Sequence, residues 1–244
     1  ILKKSRINLS MLDLSRVTLI AIDNTPRVHN TIRAIHTCIE QANFGSIKLI
    51  TSKELKDQCQ EPLHQYGIDV EEMVYPITEI NEYSKYVLYE LHRHVDKEYC
   101  LMVQDHAFII NPNAWSDEYY DYDYIGAPWP YQENSYVTPF DEHIRVGNGG
   151  FSFRSKKLLE VPLKREIPFD CTTGDFYKHF NANNFAEDGN ICVHNRHMFI
   201  EEGCKFPPVE LAARFAFETP VPENEGLIPF GFHCNLPPGI QIQG

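Results

Sequence analysis

The chain has 244 residues, 43% of them apolar, enough to bury a sizeable core in one α/β domain. Its 22 lysines and arginines stand against 34 aspartates and glutamates, and the net charge of −12 excludes nucleic acid and anionic membrane surfaces as expected partners, with no basic run beyond LKKSR at the start. A nucleotide ligand is still allowed, because a divalent cation held by acidic residues bridges protein to diphosphate.

Seven cysteines are scattered singly, with no CxxC pair and an odd total, which reads as free thiols in a reducing compartment and not as a disulfide framework or zinc ribbon. No stretch approaches the roughly 18 apolar residues of a membrane span. The first residues also lack the apolar block of a signal peptide, so a soluble, cytoplasmic protein is expected.

In chain order, VTLIAI (Val17 to Ile22) is a continuous apolar run suited to a strand covered on both faces, and the segment after it suits a helix entered at Pro26. SIKLIT (Ser46 to Thr51) repeats the strand signal and VEEMVYP offers a shorter third. EYSKYVLYELHRHV carries helical spacing, and EYCLMVQDHAFII (Glu98 to Ile110) is another buried strand running into a polar break. This alternation predicts a Rossmann-like, mostly parallel sheet flanked by helices, with its ligand crevice at the carboxyl ends of the strands. Asp23, Thr51 and the Gln104-Asp105-His106 break then line one rim. Residues 1–16 read as an N-terminal extension, 17–235 as the domain and 236–244 as an irregular tail.

From Asn111 onward the texture changes. DYDYIGAPWPYQENSY is dense in rings and turn residues, which suits either an aromatic mini-core under a long loop or a carbohydrate or nucleotide site. VGNGGFSFRS (Val146 to Ser155) places Gly147, Gly149 and Gly150 before an alternating, strand-like segment. That is neither a dinucleotide turn nor a P-loop; it is a tight turn or bulge, or a place where backbone approaches a partner closely. Glu187 and Asp188 open the segment EDGNICVHNRHMFIEEG, where acids suit a helix N-terminus as well as chemistry. His194 and His197, spaced by three on that segment, are candidate zinc ligands beside Asp188 or Glu201, although no third ligand is evident.

Taken in order, QDH at a strand end, the glycine loop, the Glu-Asp pair and FGFH near the C-terminus resemble the GT-A glycosyltransferases, with their DxD element, glycine loop, xED element and C-terminal metal-binding His. The blocks Asp121 to Trp129, Val146 to Ser155, Glu187-Asp188, Leu211 to Glu218 and Phe230 to His233 are more similar still to a glycosyltransferase-like domain family of uncharacterised function. The resemblance departs at one position, where His106 stands in place of the last Asp of a Q-x-D element.

The resemblance implies a GT-A-like fold and a glycosyltransferase of the hexosyltransferase type. It would move a sugar from a UDP- or GDP-sugar donor to a glycan or other hydroxyl acceptor, with Mn²⁺ (or Mg²⁺) held by Asp105 or His106 and by His233. Asp188 is the implied base and Glu187 its neighbour; Asp23, Lys85, Gln104, Trp129, Asn148, Gly149 and Gly150 are the implied donor and acceptor contacts. Trp129 would offer a ring face to a pyranose, and bare Gly149 and Gly150 would let the sugar sit close. An inactive sugar-nucleotide or glycan-binding module and a His-ligated metallohydrolase are the competing readings.

Overall fold

A computed structural model of the protein describes residues 11–131, 136–169 and 186–241. The six-stranded sheet is built from β1 (Leu12–Ile22), β2 (Ala42–Thr51), β3 (Asp69–Glu72), β4 (Tyr99–Met102), β5 (Tyr124–Ile125) and β6 (Ser152–Ser155), in the order β3-β2-β1-β4-β6-β5. The first four strands in that order are parallel, and β6 runs antiparallel to both its neighbours. Helices α1 (Val28–Ile39), α2 (Lys53–His64), α3 (Ile80–Tyr89) and α4 (Lys156–Lys164) flank it.

The unbroken apolar run of β1 is explained by cores on both faces of the sheet. Ile20 and Ile22 belong to one cluster, with Ile50 and Met102; Leu19 and Ala21 belong to the other, with Leu49 and Leu101. β1 is longer than VTLIAI suggests. It begins at Leu12, pairing through Leu14 with β2 before a register shift, so part of the stretch read as an extension lies in the sheet.

After β1 the chain moves outward to β2 and β3, then returns to place β4 on the other side of β1. Connections diverge between β1 and β4, and a crevice opens there at the carboxyl ends of the strands. Asp23 leaves β1 at that crevice, and Gln104 and Asp105 follow β4.

The second half relies on few ladders. β7 (Ala216–Phe217) pairs with β8 (Gly231–Phe232), and Ile110 N–H donates to Phe230 O at 2.9 Å, so the C-terminal segment folds back on the loop after β4. The segment expected as one helix from Glu187 is instead three pieces: the single turn α5 (Glu187–Gly189), a wide turn (Asn190–His194) and α6 (Arg196–Glu201). The asparagines cause the break. Asn195 N–H reaches back five residues to Asn190 O at 2.9 Å, while Asn190 Nδ2 donates to Pro168 O at 2.9 Å and Phe169 O at 3.2 Å.

Candidate functional site

A cleft of about 330 Å³ lies at the switch point, lined by Asp23, Asn24 and Thr25 from the end of β1, Tyr83 from α3, and Gln104 and Asp105 after β4. Asp23 organises its own loop. One carboxylate oxygen accepts from Thr25 N–H at 2.7 Å, and the other accepts from the Thr31 hydroxyl at 2.5 Å. Gln104 donates its amide to the Tyr83 hydroxyl at 3.0 Å. Arg27, exposed on the same rim, brings a cation into a strongly acidic chain.

Next to this cleft, side chains distant in sequence converge. His106 Nε2 and His233 Nε2 are 3.1 Å apart, and Gln104 Oε1 lies 3.2 Å from His233 Nε2. On their far sides, His106 Nδ1 contacts Asp105 Oδ1, and His233 Nδ1 sits 2.7 Å from Glu218 Oε1. An ionised carboxylate only accepts, so the Nδ1-protonated tautomer suits both carboxylate contacts and leaves each Nε2 able to hold a metal ion. Cys234 Sγ is 3.4 Å from His233 Nε2, and His106, His233 and Cys234 place their donor atoms within 4.8 Å of one another. Among the described residues, these three form the group that could hold a cation. Asp105 and Glu218 hold the rings.

The glycine loop is bare for a different reason from the one expected. A Cβ on Gly149 would lie 2.2 Å from Glu187 Oε1, one on Gly150 would lie 2.2 Å from the His233 ring, and one on Gly147 would enter the Trp129 indole. The space that the glycines vacate is therefore filled by the protein's own side chains rather than left for a sugar. Positive φ falls at Asn148 (62°), whose amide packs 3.1 Å from His233 Nδ1 and accepts from Gly150 N–H at 3.2 Å.

Asp188 meets the same loop, accepting from Gly149 N–H at 2.9 Å and from Gly189 N–H at 2.7 Å. Desolvation first, and then the Glu187 charge, push its carboxyl up to about 7. Glu187 itself is buried, with Oε1 2.9 Å from Arg154 Nη2, and Arg154 is wholly buried under the loop. Sequence reasoning gave no role to Arg154, Glu218, Tyr83 or Cys234. Glu218 and Arg154 stand inside the blocks that carried the resemblance, but neither burial nor partner is visible there.

Two expected contacts lie elsewhere. Trp129 is 5% exposed, stacked on Tyr136 at 4.2 Å and covering Gly147, so the aromatic stretch forms a mini-core and the indole has little face for a sugar. Lys85 is exposed and does not line the cleft; its ammonium lies 5.0 Å from the Phe169 ring centroid. The zinc alternative gains no support either. Burial pushes His194 down to about 4, His197 packs edge-on against Phe140, Glu201 pairs with Arg165, and among the described residues only His106, His233 and Cys234 are grouped so that they could hold a metal ion.

No helix among the described residues is long and apolar enough to cross a membrane. No curated protein matches the chain. Among solved structures, an active-site mutant of LgtC is 10% identical with a TM-score of 0.50, the match covering 89% of this chain and 87% of that one. Mouse xyloside xylosyltransferase 1 is 8% identical with a TM-score of 0.49, covering 93% and 99%. The glycosyltransferase GlyE of Streptococcus pneumoniae TIGR4 is 12% identical with a TM-score of 0.47 over 89% of this chain, which spans only 54% of the GlyE chain. The fold is GT-A-like. The model of the family described as "Protein of unknown function (DUF5672)" matches residues 68–233, more than half of the chain, and the chain belongs to that family.

Proposed function

We infer that this protein transfers a glycosyl group from a nucleotide-diphosphate sugar to a hydroxyl acceptor. The observation that carries this reading is the contact of the switch-point cleft, through Gln104, with two convergent imidazoles, and the glycine loop that joins His233 to a half-buried carboxyl raised into the neutral range. A nucleotide in the cleft, bounded by Asp23, Asn24 and Tyr83, directs its diphosphate past Gln104 and Asp105 toward His106 and His233. Arg27 adds a positive charge that suits the same anion.

The donor atoms decide which cation suits the site. The carboxylates of Asp105 and Glu218 are engaged with imidazole Nδ1 atoms, so Mg²⁺, which demands an octahedron of oxygens, fits poorly, and of the two ions expected Mn²⁺, which accepts imidazole beside oxygen, fits better. His106 and His233 would hold the ion, which when bound supplies Lewis-acid neutralisation of the leaving diphosphate.

Asp188 serves as the base. As the acceptor oxygen bonds to the anomeric carbon, its proton passes to the Asp188 carboxylate and the sugar–diphosphate bond breaks, the electron pair leaving with the diphosphate oxygen. The Gly149 and Gly189 N–H groups fix the carboxylate, while Glu187, locked to Arg154, tunes it without approaching the acceptor. A proton affinity near neutrality suits this work.

Midpoint shifts with UDP, GDP and their sugars, with and without Mn²⁺, test binding, since a ligand of the folded state stabilises by mass action. Diphosphates should exceed monophosphates. Asp188→Asn should keep that shift and slow nucleotide-diphosphate release by about 10² to 10⁴. A flat screen would overturn the reading; tight binding without turnover in the parent would favour a binding module.

A further inference from the structure

We propose that His106, His233 and Cys234 form a three-ligand site for a borderline-soft divalent ion, with the Cys234 thiolate as third ligand, and that it selects Zn²⁺ over Mn²⁺ and Mg²⁺. The His106–His233 nitrogen separation is 3.1 Å and the His233–Cys234 nitrogen–sulfur separation is 3.4 Å. Tetrahedral zinc, with bonds of about 2.0 Å to nitrogen and 2.3 Å to sulfur, requires edges of about 3.3 to 3.6 Å. Two edges of one face are close to those lengths, and the third, between His106 and Cys234, lies within 4.8 Å. A hard ion would be met by two nitrogens and a sulfur, because both nearby carboxylates are turned to the backs of the rings.

The carboxylate contacts are themselves the arrangement expected behind metal-bound histidines. An acceptor on Nδ1 fixes the tautomer, orients the ring and makes Nε2 more basic. Asp105 does this for His106, and Glu218 for His233.

A second observation concerns the backbone. Cys234 has φ of 59°, in the left-handed region that a residue with a Cβ occupies at a cost. Its N–H donates to His106 O at 3.0 Å, and His233 N–H donates to Phe217 O at 2.8 Å. The strained residue is thus fastened by its main chain to one ligand and follows the other directly. Glycine would satisfy that backbone without strain, so the side chain is what the conformation places.

Gln104, which lines the cleft, lies 3.2 Å from His233 Nε2; use of a fourth coordination position by a diphosphate rests on the sugar-transfer reading, and binding of the ion does not. The probe is Co²⁺, a spectroscopic stand-in for Zn²⁺. Titrated into the protein, it should give intense tetrahedral visible bands and a thiolate-to-cobalt charge-transfer band in the near ultraviolet. Cys234→Ser should lose the charge-transfer band and bind Zn²⁺ about tenfold or more weakly, and His106→Ala should lose the tetrahedral bands. Competition in the parent should show Zn²⁺ displacing Mn²⁺ with at least about 10²-fold preference.

Weak octahedral cobalt bands, an unchanged spectrum in Cys234→Ser, or equal affinity for Mn²⁺ and Zn²⁺ would each overturn the proposal. Turnover with Mn²⁺ and no thiolate band would overturn it while leaving sugar transfer standing. A thiolate band that ignores UDP and GDP, in a protein without turnover, would support the ion site and remove sugar transfer.

Discussion

The half of the molecule from Leu12 to Met102 and the half from Gln104 to Cys234 are held by different means. In the first, β1 pairs along most of its length with β2 and through four residues with β4, and apolar side chains fill both faces. In the second, the strands are two to four residues long, and single side chains hold the loops. Asp123 accepts from the Ser155 hydroxyl at 2.6 Å and from Lys205 N–H at 2.8 Å, Arg145 forks onto Glu223, and the Tyr124 hydroxyl donates to Asn148 O at 3.0 Å. A ladder shares its load over many equivalent bonds. A network of unique contacts aims side chains accurately, and each member is hard to replace.

The largest expected effect follows from Arg154. Arg154→Met leaves the Glu187 charge buried without its partner, and losing one member of a buried pair costs about 3 to 5 kcal/mol. Denaturant unfolding measures it. The double variant Arg154→Met/Glu187→Leu should recover most of that loss, since apolar replacement of a whole buried pair is often neutral. A single variant as stable as the parent would show that this pair does not hold the second half.

Glycine substitutions divide the halves more finely. Gly150→Ala drives a Cβ into a His233 ring that Glu218 and Phe217 hold in place, so an overpacking loss of about 1 to 3 kcal/mol should come with loss of cation and nucleotide-diphosphate binding. Gly67, between α2 and β3, has φ of 73° and open space around its Cβ position. Gly67→Ala should cost about 1 kcal/mol through the backbone alone and leave binding unchanged. Equal effects of the two on binding would erase the distinction.

The same division set what could be read from sequence. VTLIAI and SIKLIT announce buried parallel strands because a period of two with both faces covered leaves a continuous apolar run, and the crevice at Asp23 and Gln104 follows from the alternation of strands and helices. The boundaries of β1 were hidden by the polar residues Asp13, Ser15 and Arg16 at its exposed beginning. In the second half, His233 and Asp188 come to the glycine loop, and His106 meets His233. Their partners depend on burial and on contacts distant in sequence, 15 residues for His233 with Glu218 and 39 for Asp188 with Gly149, which periodicity does not carry. Gly149 and Gly150 illustrate the limit: the sequence demands close approach there but does not say that Glu187 and His233 are what approaches.

A smaller effect concerns pH. The folded-state carboxyl of Asp188 is raised from its ordinary 3.8 to about 7, so folding favours its protonated form. Its contribution to stability is full below about 3.8 and is lost as pH rises through about 7, while turnover should climb through the upper part of that window as the base ionises. Glu187→Gln removes the neighbouring negative charge and leaves Arg154 free to act on Asp188. Both changes lower the Asp188 pKa, so the ascending limb should move down by about one pH unit. A limb that stays in place would mean that desolvation alone sets it.

The smallest effect is expected at Lys85, and it separates contact with the cleft from mere proximity in sequence. Lys85 and Tyr83 lie two residues apart on α3 and so face different ways. Tyr83 lines the cleft and receives the Gln104 amide, whose other end meets His233. Lys85 is exposed, and its placement over the Phe169 ring is worth about 0.5 to 1 kcal/mol at most at such a site. Lys85→Ala should therefore leave donor KM unchanged and stability lower by less than about 1 kcal/mol. Tyr83→Phe removes one hydroxyl and frees Gln104 to rotate, which should raise donor KM several-fold while altering stability little more than Lys85→Ala does. A donor KM that rises in Lys85→Ala and not in Tyr83→Phe would put the nucleotide on the Lys85 face of α3 and outside the switch-point cleft.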